Sequence, residues 1–457
     1  MTLREYQQRA ADMIVRNGAT YLMHDMGMGK TLTCITAMKK VGLPVIVLAP
    51  LNAILNTWPD ELTKWAPDLS YVILHGPYKN SLAAQARNYD VLLLNFEGLQ
   101  WWYEMVMSKR FKLKKFFVIW DEASFLKDYT TKRWEILVEA MPIWSSYRVC
   151  LSGTPMPNTM LDLWAQYYLL DKGKRLSPSF YSFRSTHFNY SGPPRYITTL
   201  KPFADTLIYD RIADITDRLD SKDYLELPEE VHNDVYLELP AKLRNLYTEF
   251  EKEFMLVFKD GVSEANSAAV LTCKLRQFLQ GAVYYQKEGV QYDTPIREAQ
   301  IFHNIKAEVL KQLVEGLAGQ PVLVPIQFIF EYKILCETFK KKSIPIISGR
   351  TSPKDTRQLI TKWNNGSLPI LLCHPKSVAL SLNLQFGGYN IIWMALPWEM
   401  DLYKQLIRRI RRSGQKSNRV VVSRLIFKDT IDETIAKVLA KKESTQQALF
   451  NALQNKK

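Results

Sequence analysis

Short apolar runs alternate with helix-period segments over roughly the first 165 residues, at Tyr21–Met23, Val45–Leu48, Val72–Leu74, Val91–Leu94, Phe117–Trp120 and Arg148–Leu151. Runs too brief for a helix and apolar at every position predict strands buried on both faces of a parallel sheet. A second series begins after residue 320, at Val322–Val324, Ile344–Ile347, Ile370–Cys373, Ile391–Ala395 and Val420–Ile426. The two series predict two doubly wound α/β lobes. Between them, residues 166 to about 300 carry aromatic and polar segments, a Gly192–Pro194 turn, and helical periodicity over Ala241–Phe258 and Ser267–Leu279. The expected division is therefore 1–165, a mostly helical insertion over 166–300, and 301–457. With no internal repeat and no low-complexity tract, a solenoid is not indicated.

Composition narrows this picture. The chain has 457 residues, 47% hydrophobic and 23% charged, as a folded globular protein of two or three domains has. Its longest apolar runs, such as Val45–Pro50, fall far short of the roughly 18 apolar residues a bilayer span needs. The opening MTLREYQQRA lacks a signal-peptide apolar region, so the expected location is the cytoplasm, with no membrane partner. A formal charge of +14 favours polyanionic partners such as nucleic acid, and equally fits a merely soluble basic protein. The five cysteines are scattered and never form a CxxC pair, so they read as reduced core residues with no structural zinc.

Candidate chemistry is concentrated at Asp25–Thr31, DMGMGKT, which lies between the run TYLM and the helical pattern TLTCITAMKK. This is the strand–loop–helix setting of a phosphate loop. Gly27 and Gly29, with Met28 between them, let backbone N–H groups approach an anion without a Cβ in the way, and the helix N-terminus adds positive charge. Lys30 is placed to reach the β and γ phosphates of ATP, and the Thr31 hydroxyl to join a Mg2+ shell. His24 stands where the usual pattern has its first glycine. Such a loop needs one carboxylate to hold magnesium and another to prepare the attacking water. Asp121 and Glu122 follow the strand FFVIW, at the strand end where ligands of parallel sheets sit. Asp121 suits the metal through water, and Glu122 suits the base that takes a proton from the nucleophile.

With these residues in place, the chain resembles superfamily 2 helicases, and within them the Swi/Snf type of double-stranded DNA translocase in a compact prokaryotic or phage form. LREYQ resembles the Q motif, which implies that Gln7 reads the adenine edge and that Tyr6 or a neighbour packs on the base. VLAPLNAILNTW at Val47–Trp58 looks like motif Ia, and DVLLLNFEGL at Asp90–Leu99 like the strand and turn of the next DNA contact. DEAS at Asp121–Ser124, with Lys127, is similar to the DEAH box. LSGTPMPN at Leu151–Asn158 resembles motif III, implying a coupling role for Ser152, Gly153 and Thr154; LDLWAQYYLL after it also fits. VLVPIQF at Val322–Phe328 is similar to motif IV, and ISGRTSPKDTRQLITKWN at Ile347–Asn364 to the family segment ending in an aromatic and Asn. KSVALSLNL at Lys376–Leu384 resembles motif V. QLIRRIRRSGQ at Gln405–Gln415 resembles motif VI, which gives Gln405 a coupling role and places Arg409 and Arg412 at the family's two arginine positions.

The resemblance implies two RecA-like lobes, ATP and Mg2+ as cofactors, and arginines supplied by the second lobe to stabilise charge developing on the γ phosphate. Arg408 and Arg411 read as an exposed basic helix, or as contacts to DNA or an acidic partner. Ser124 replaces the usual His, leaving the link between motifs II and III to a hydroxyl. Ala379 and Ser381 replace glycines of motif V, and Arg408 that of motif VI, which puts the coupling geometry in question. DNA, duplex or branched, is the implied partner, gripped through its phosphates by Pro50, Asn52, Asn95, Phe96, Ser348, Gly349 and Ser377. Basic clusters at Lys109–Lys115, Lys340–Lys342 and Arg408–Arg419 track the backbone or are simply solvated. A strand-separating DNA or RNA helicase, and a nucleotide-switched binding module without motor activity, are the competing readings. Replication, repair or recombination proteins are the implied further partners.

Overall fold

A computed structural model of the chain describes residues 3–108, 115–156, 159–191, 197–257, 264–285, 298–378 and 382–441. Of the sequence expectations, Pro157 and Asn158, the Gly192–Pro194 turn, Ala379 and Ser381, and the cluster Lys109–Lys115 except its last residue lie outside the described residues. The described chain falls into two compact units that divide between Glu226 and Leu227. Among the described residues no helix is long and apolar enough to cross a membrane.

In the first unit the strands are β1 (Ala19–His24), β2 (Val45–Ala49), β3 (Tyr71–Ile73), β4 (Val91–Asn95), β5 (Phe116–Asp121), β6 (Ser145–Leu151), a hairpin of β7 (Phe188–Ser191) and β8 (Ile197–Leu200), and β9 (Thr216–Leu219). Seven of them form one parallel sheet in the order β3-β4-β2-β5-β6-β1-β9. Each face carries its own core. Along β5, Val118 and Trp120 point into a cluster with Trp102 and Trp144, while Phe117 and Ile119 point into one with Ile54, Trp58 and Leu62. Because side chains alternate between faces and both faces are covered, every position of such a strand is apolar.

In the second unit the strands are β10 (Glu229–Leu237), a hairpin of β11 (Ala282–Tyr285) and β12 (Glu298–Ile301), β13 (Val322–Pro325), β14 (Ile346–Ile347), β15 (Ile370–Cys373), β16 (Asn390–Trp393) and β17 (Arg419–Phe427). Its sheet is also parallel, in the order β10-β17-β16-β13-β15-β14. Trp363, Trp393 and Leu406 belong to one face's core, and Leu310, Val324 and Leu335 to the other's. A buried ion pair lies in this unit: Lys306 Nζ is 2.7 Å from Asp432 Oδ2 and donates to the Met394 carbonyl at 2.6 Å.

The stretch 166–300, expected as one mostly helical insertion, contributes strands to both sheets. β9 closes the first sheet beside β1, and β10 forms the edge of the second beside β17. Neither is an apolar run. β9 reads TDRL because its Asp217 serves a buried ion pair described below, and β10 is a largely exposed edge strand, EEVHNDVYL, that has only one neighbour. The expected helices are present at Ala241–Val257 and Glu264–Leu279.

Candidate functional site

Strand order gathers the first unit's motifs. All seven strands run the same way, so the loops after them share one edge, in the sequence β4, β2, β5, β6, β1. Read along that edge, Asn95 and Phe96 follow β4, Pro50 and Asn52 follow β2, Asp121 and Glu122 end β5, Ser152–Thr154 follow β6, and Asp25–Gly29 follow β1. Electrostatics agree with that order. The buried Cys34 thiol, pushed well up first by burial, is raised further by Asp121 and lowered by Lys30, so both charges act on one point.

Gly27 and Gly29 of the loop have φ of 83° and 74°, a left-handed backbone that strongly favours glycine. Gly29 is the N-cap of the helix Lys30–Val41 and has no side chain with which to cap it, so the loop leads an anion to a helix N-terminus. Lys30 Nζ donates to the His24 and Asp25 carbonyls at 2.8 and 3.2 Å, curling the cation over the loop it serves. Thr31 is half-buried on the first turn. Gln7, expected to read the adenine, is engaged within the protein at both ends of its amide: Nε2 donates to the Met28 carbonyl at 3.2 Å, and Oε1 accepts the Arg4 N–H at 3.1 Å. A Cβ at Gly29 would overlap that Gln7 amide. In this structure Gln7 therefore supports the loop. Tyr6, the other Q-motif residue, packs on Tyr224 with ring centroids 5.0 Å apart.

His24, at the position of the missing glycine, is fully buried and forms a chain of contacts absent from the sequence expectations. Its Nε2 lies 2.7 Å from Asp217 Oδ2, and Arg9 donates to Asp217 Oδ1 at 3.0 Å. Burial pulls His24 below its ordinary value against the opposing carboxylate. Burial alone would raise Asp217, but its bond to His24 and the charges of His24 and Arg9 hold it low. A neutral imidazole donating to a carboxylate thus ties the loop to β9 and to the first helix. Asp25 is tied in parallel, accepting the Ser221 hydroxyl at 2.8 Å.

Asp121 accepts the Glu122 N–H at 3.1 Å through Oδ1 and the Trp58 indole N–H at 2.9 Å through Oδ2. Trp58 is fully buried. It follows a π-helical turn, Ala53–Thr57, and its own N–H reaches back to the Ala53 carbonyl. Pro59, the next residue, has no N–H to continue the α-helical pattern, and single π turns accommodate such local irregularity. Trp58 was legible only as the end of motif Ia; its bond to Asp121 was not. Glu122 adopts a left-handed φ of 57°, backbone strain of a kind that clusters at functional sites.

Ser152 is fully buried, and its Oγ accepts the Thr154 N–H at 3.1 Å across Gly153. No hydrogen bond joins Ser124 to Ser152 or Thr154, so the hydroxyl does not replace the link expected of the family's His. Gln166 anchors this loop instead, accepting from the Tyr21 hydroxyl at 2.5 Å and donating to the Pro155 carbonyl at 2.8 Å.

Of the residues expected to meet DNA, Asn95 and Phe96 are buried. Asn95 Nδ2 donates to Glu97 at 2.7 Å, and Phe96 stacks on Phe125 beneath Arg133. These side chains shape the turn and do not present themselves to a strand. Asn52 is half-buried at the start of the π turn, its carbonyl accepting from Asn56, and Pro50 is buried with its carbonyl accepting two N–H groups of that turn.

In the second unit, Ser348 and Gly349 follow β14, and Ser377 lies in the turn after the neighbouring β15, so these three share the edge where strands end. Gly349 is exposed, with open space where a Cβ would be. Gln405, Arg409 and Arg412 are elsewhere. The helix Met400–Ile410 returns from the end of β16 toward the start of β17, which carries Arg409 and Arg412 to the opposite edge of the sheet. Gln405 and Arg409 are buried, and the Arg412 guanidinium donates to the Asn383 side-chain oxygen. Arg411 donates to the Pro228 carbonyl at 2.8 Å and lies 3.6 Å from Glu230, so within the unit it is tied to β10 and not a free basic surface.

Family models and known proteins match the chain over most of its length. The SNF2-related domain matches residues 6–282, and the helicase conserved C-terminal domain matches residues 305–414. Protein p41 of Acyrthosiphon pisum secondary endosymbiont phage 1 is 30% identical over 100% of this chain and 99% of its own length. An uncharacterized ATP-dependent helicase of Mycoplasma pneumoniae is 27% identical over 97% of this chain. The human SWI/SNF-related matrix-associated actin-dependent regulator of chromatin subfamily A member 1 is 26% identical over 95%. The chain spans 42% of the length of each of these two relatives. Among solved structures, the Sulfolobus solfataricus SWI2/SNF2 ATPase core in complex with dsDNA is 23% identical, over 97% of this chain and 92% of that one, with a TM-score of 0.43.

Proposed function

The chain belongs to the SNF2-related helicases of superfamily 2, nucleic-acid-dependent ATPases, and from that premise we propose that it is a DNA translocase, driven along duplex or branched DNA by ATP hydrolysis in replication, repair or recombination. The observation that supports this most is the single edge on which the uncapped helix at Lys30, the loop carbonyls holding the Lys30 amine, and the paired carboxylates Asp121 and Glu122 come together.

The residues fit a triphosphate with its metal. The amides at the start of the helix Lys30–Val41 bind phosphate oxygens, and Lys30 exchanges the His24 and Asp25 carbonyls for the β and γ phosphates. Thr31 and Asp121 would hold Mg2+, which when bound neutralises charge on the β and γ oxygens; Trp58 fixes the carboxylate's orientation. Glu122 takes the proton of the attacking water as the new oxygen–phosphorus bond forms and the bond to the β-phosphate oxygen breaks, leaving ADP. Arg409 and Arg412 stabilise the charge that develops on the phosphoryl group in transit. Phosphate contacts from the loops after β2, β4, β14 and β15 grip the strand without reading its sequence.

The test compares ATP turnover with no nucleic acid, single-stranded DNA, blunt duplex, forked DNA and RNA, alongside displacement of a third strand from a triplex. Stimulation by blunt duplex, with triplex displacement and no strand separation, is the expected result. Stimulation by single strands alone, with unwinding, would make the chain a strand-separating helicase, and nucleotide binding without turnover would make it a switch.

A further inference from the structure

Trp363 and Asn364, the aromatic and Asn that close the family segment, end the helix Pro353–Asn364 and lie at the edge of the second sheet from which β15 and β16 start. Trp363 is fully buried, and its indole N–H donates to the Leu384 carbonyl at 2.9 Å. Asn364 grips the same turn twice, donating from Nδ2 to the Asn383 carbonyl at 2.9 Å and accepting the Phe386 N–H at 3.3 Å. The turn lies flat on the indole: a Cβ at Gly387 would come within 2.5 Å of the Trp363 ring, so glycine is required there.

The turn held this way makes three contacts with the arginine segment. The Leu384 N–H donates to the Arg409 carbonyl at 3.2 Å. Gln415 Nε2 donates to the Gly388 carbonyl at 2.9 Å. The Asn383 side-chain oxygen accepts from the Arg412 guanidinium. Arg412 lies beyond Ile410, the last helical residue, and is only half-buried. A long arginine side chain loses substantial rotamer freedom when it must hold one geometry.

We propose that Trp363 and Asn364 are positioning residues that act through Asn383 to hold Arg412 ready for phosphoryl transfer. The ordering of the guanidinium is then completed in the folded protein and is not left to the transition state. This rests on the reading of Arg412 as a group that acts on the transferring phosphoryl.

The experiment is a double-mutant cycle on the full chain, reading steady-state kcat and KM for ATP with saturating duplex DNA. Asn383→Ala is expected to lower kcat by about 10-fold while KM stays within about threefold, because an interaction made only in the transition state is weakened. Asn364→Ala should give the same split at a smaller fold-change. Asn383→Asp, which keeps an acceptor oxygen for the guanidinium, should recover most of kcat and also serves if Asn383→Ala folds poorly. In an Arg412→Lys background, assayed at raised enzyme concentration so that its residual turnover is read, Asn383→Ala should cost little further. A full additional loss in that background would overturn the proposal, as would a loss confined to KM or an Asn383→Asp variant no better than Asn383→Ala. If Arg412→Lys and Arg412→Ala both turn over normally, the reading of Arg412 itself fails, a result distinct from the others.

Discussion

Replacing Trp58 by Phe isolates the contact between motif Ia and Asp121, the carboxylate proposed to hold the metal. The ring stays apolar and buried, but the indole N–H that donates to Asp121 Oδ2 at 2.9 Å is lost. A hydrogen bond to a charged group contributes roughly 1.5–3 kcal/mol, and its removal leaves a carboxylate oxygen short of a donor. If that contribution is all structural, the melting temperature of a unit this size falls by roughly 3–12 °C. If the bond orients Asp121 for its metal, turnover also falls, by about 10- to 100-fold, as for other groups that orient metal ligands. The assay is ATP hydrolysis as a function of Mg2+ at fixed ATP, with a melting curve on the same samples. The expected result is a higher Mg2+ requirement, with turnover partly restored at high Mg2+. An unchanged Mg2+ dependence together with a lowered melting temperature would show that Trp58 only packs, and would refute its role in orienting Asp121 for the metal.

Three further outcomes follow from the geometry. Gly29→Ala places a methyl against the Gln7 amide at a φ of 74°, and strain of roughly 1–2 kcal/mol lowers nucleotide affinity at least about 5- to 30-fold in a fluorescent-nucleotide titration. The pH responses are read from amide-exchange protection of each sheet. Burial pushes Glu331 up to about 7 from an ordinary 4.5, so its own contribution falls as pH rises between those values; burial also pulls His303 from 6.5 to about 4, which acts the other way, and Glu331→Gln therefore makes the second unit's stability rise with pH. His24 is pulled below 6.5 by burial, so the first unit's stability is complete above that value and declines as pH falls through the lower folded one. Asp432→Ala strands the buried Lys306 charge and destabilises the second unit by roughly 3–5 kcal/mol in denaturant melts, whereas the paired change Lys306→Met with Asp432→Leu costs far less.

Much of the fold, and of the local geometry of the candidate site, was legible in the sequence. The eleven apolar runs of the two series correspond to β1–β6 and to β13–β17, because a strand covered on both faces leaves a local, unbroken signature. The phosphate loop and the Asp121–Glu122 pair were legible for a related reason: their chemistry needs neighbouring residues at fixed spacing. What stayed hidden was set by distant partners. β9 carries Asp217 and Arg218 where an apolar run would be expected, since Asp217 answers His24, and nothing local in TDRL announces a strand. The polar β10 is an edge strand, and pairing on one side only removes the demand for apolar residues. Gln7 was expected at the adenine and is found on the Met28 carbonyl, a contact that depends on how the first helix packs against the loop. Asn95 and Phe96 were placed by motif position, and their burial follows from Phe125 and Arg133, which the strand alone does not specify.

Under the proposed function, Lys30 and Arg412 both serve ATP hydrolysis. Steady-state ATP turnover of Lys30→Ala and Arg412→Ala, with duplex DNA saturating and folding checked by melting curves, tests this most directly. Loss of DNA-stimulated turnover in both, each with a wild-type melt, is the predicted result; hydrolysis at the wild-type rate in either variant would contradict it.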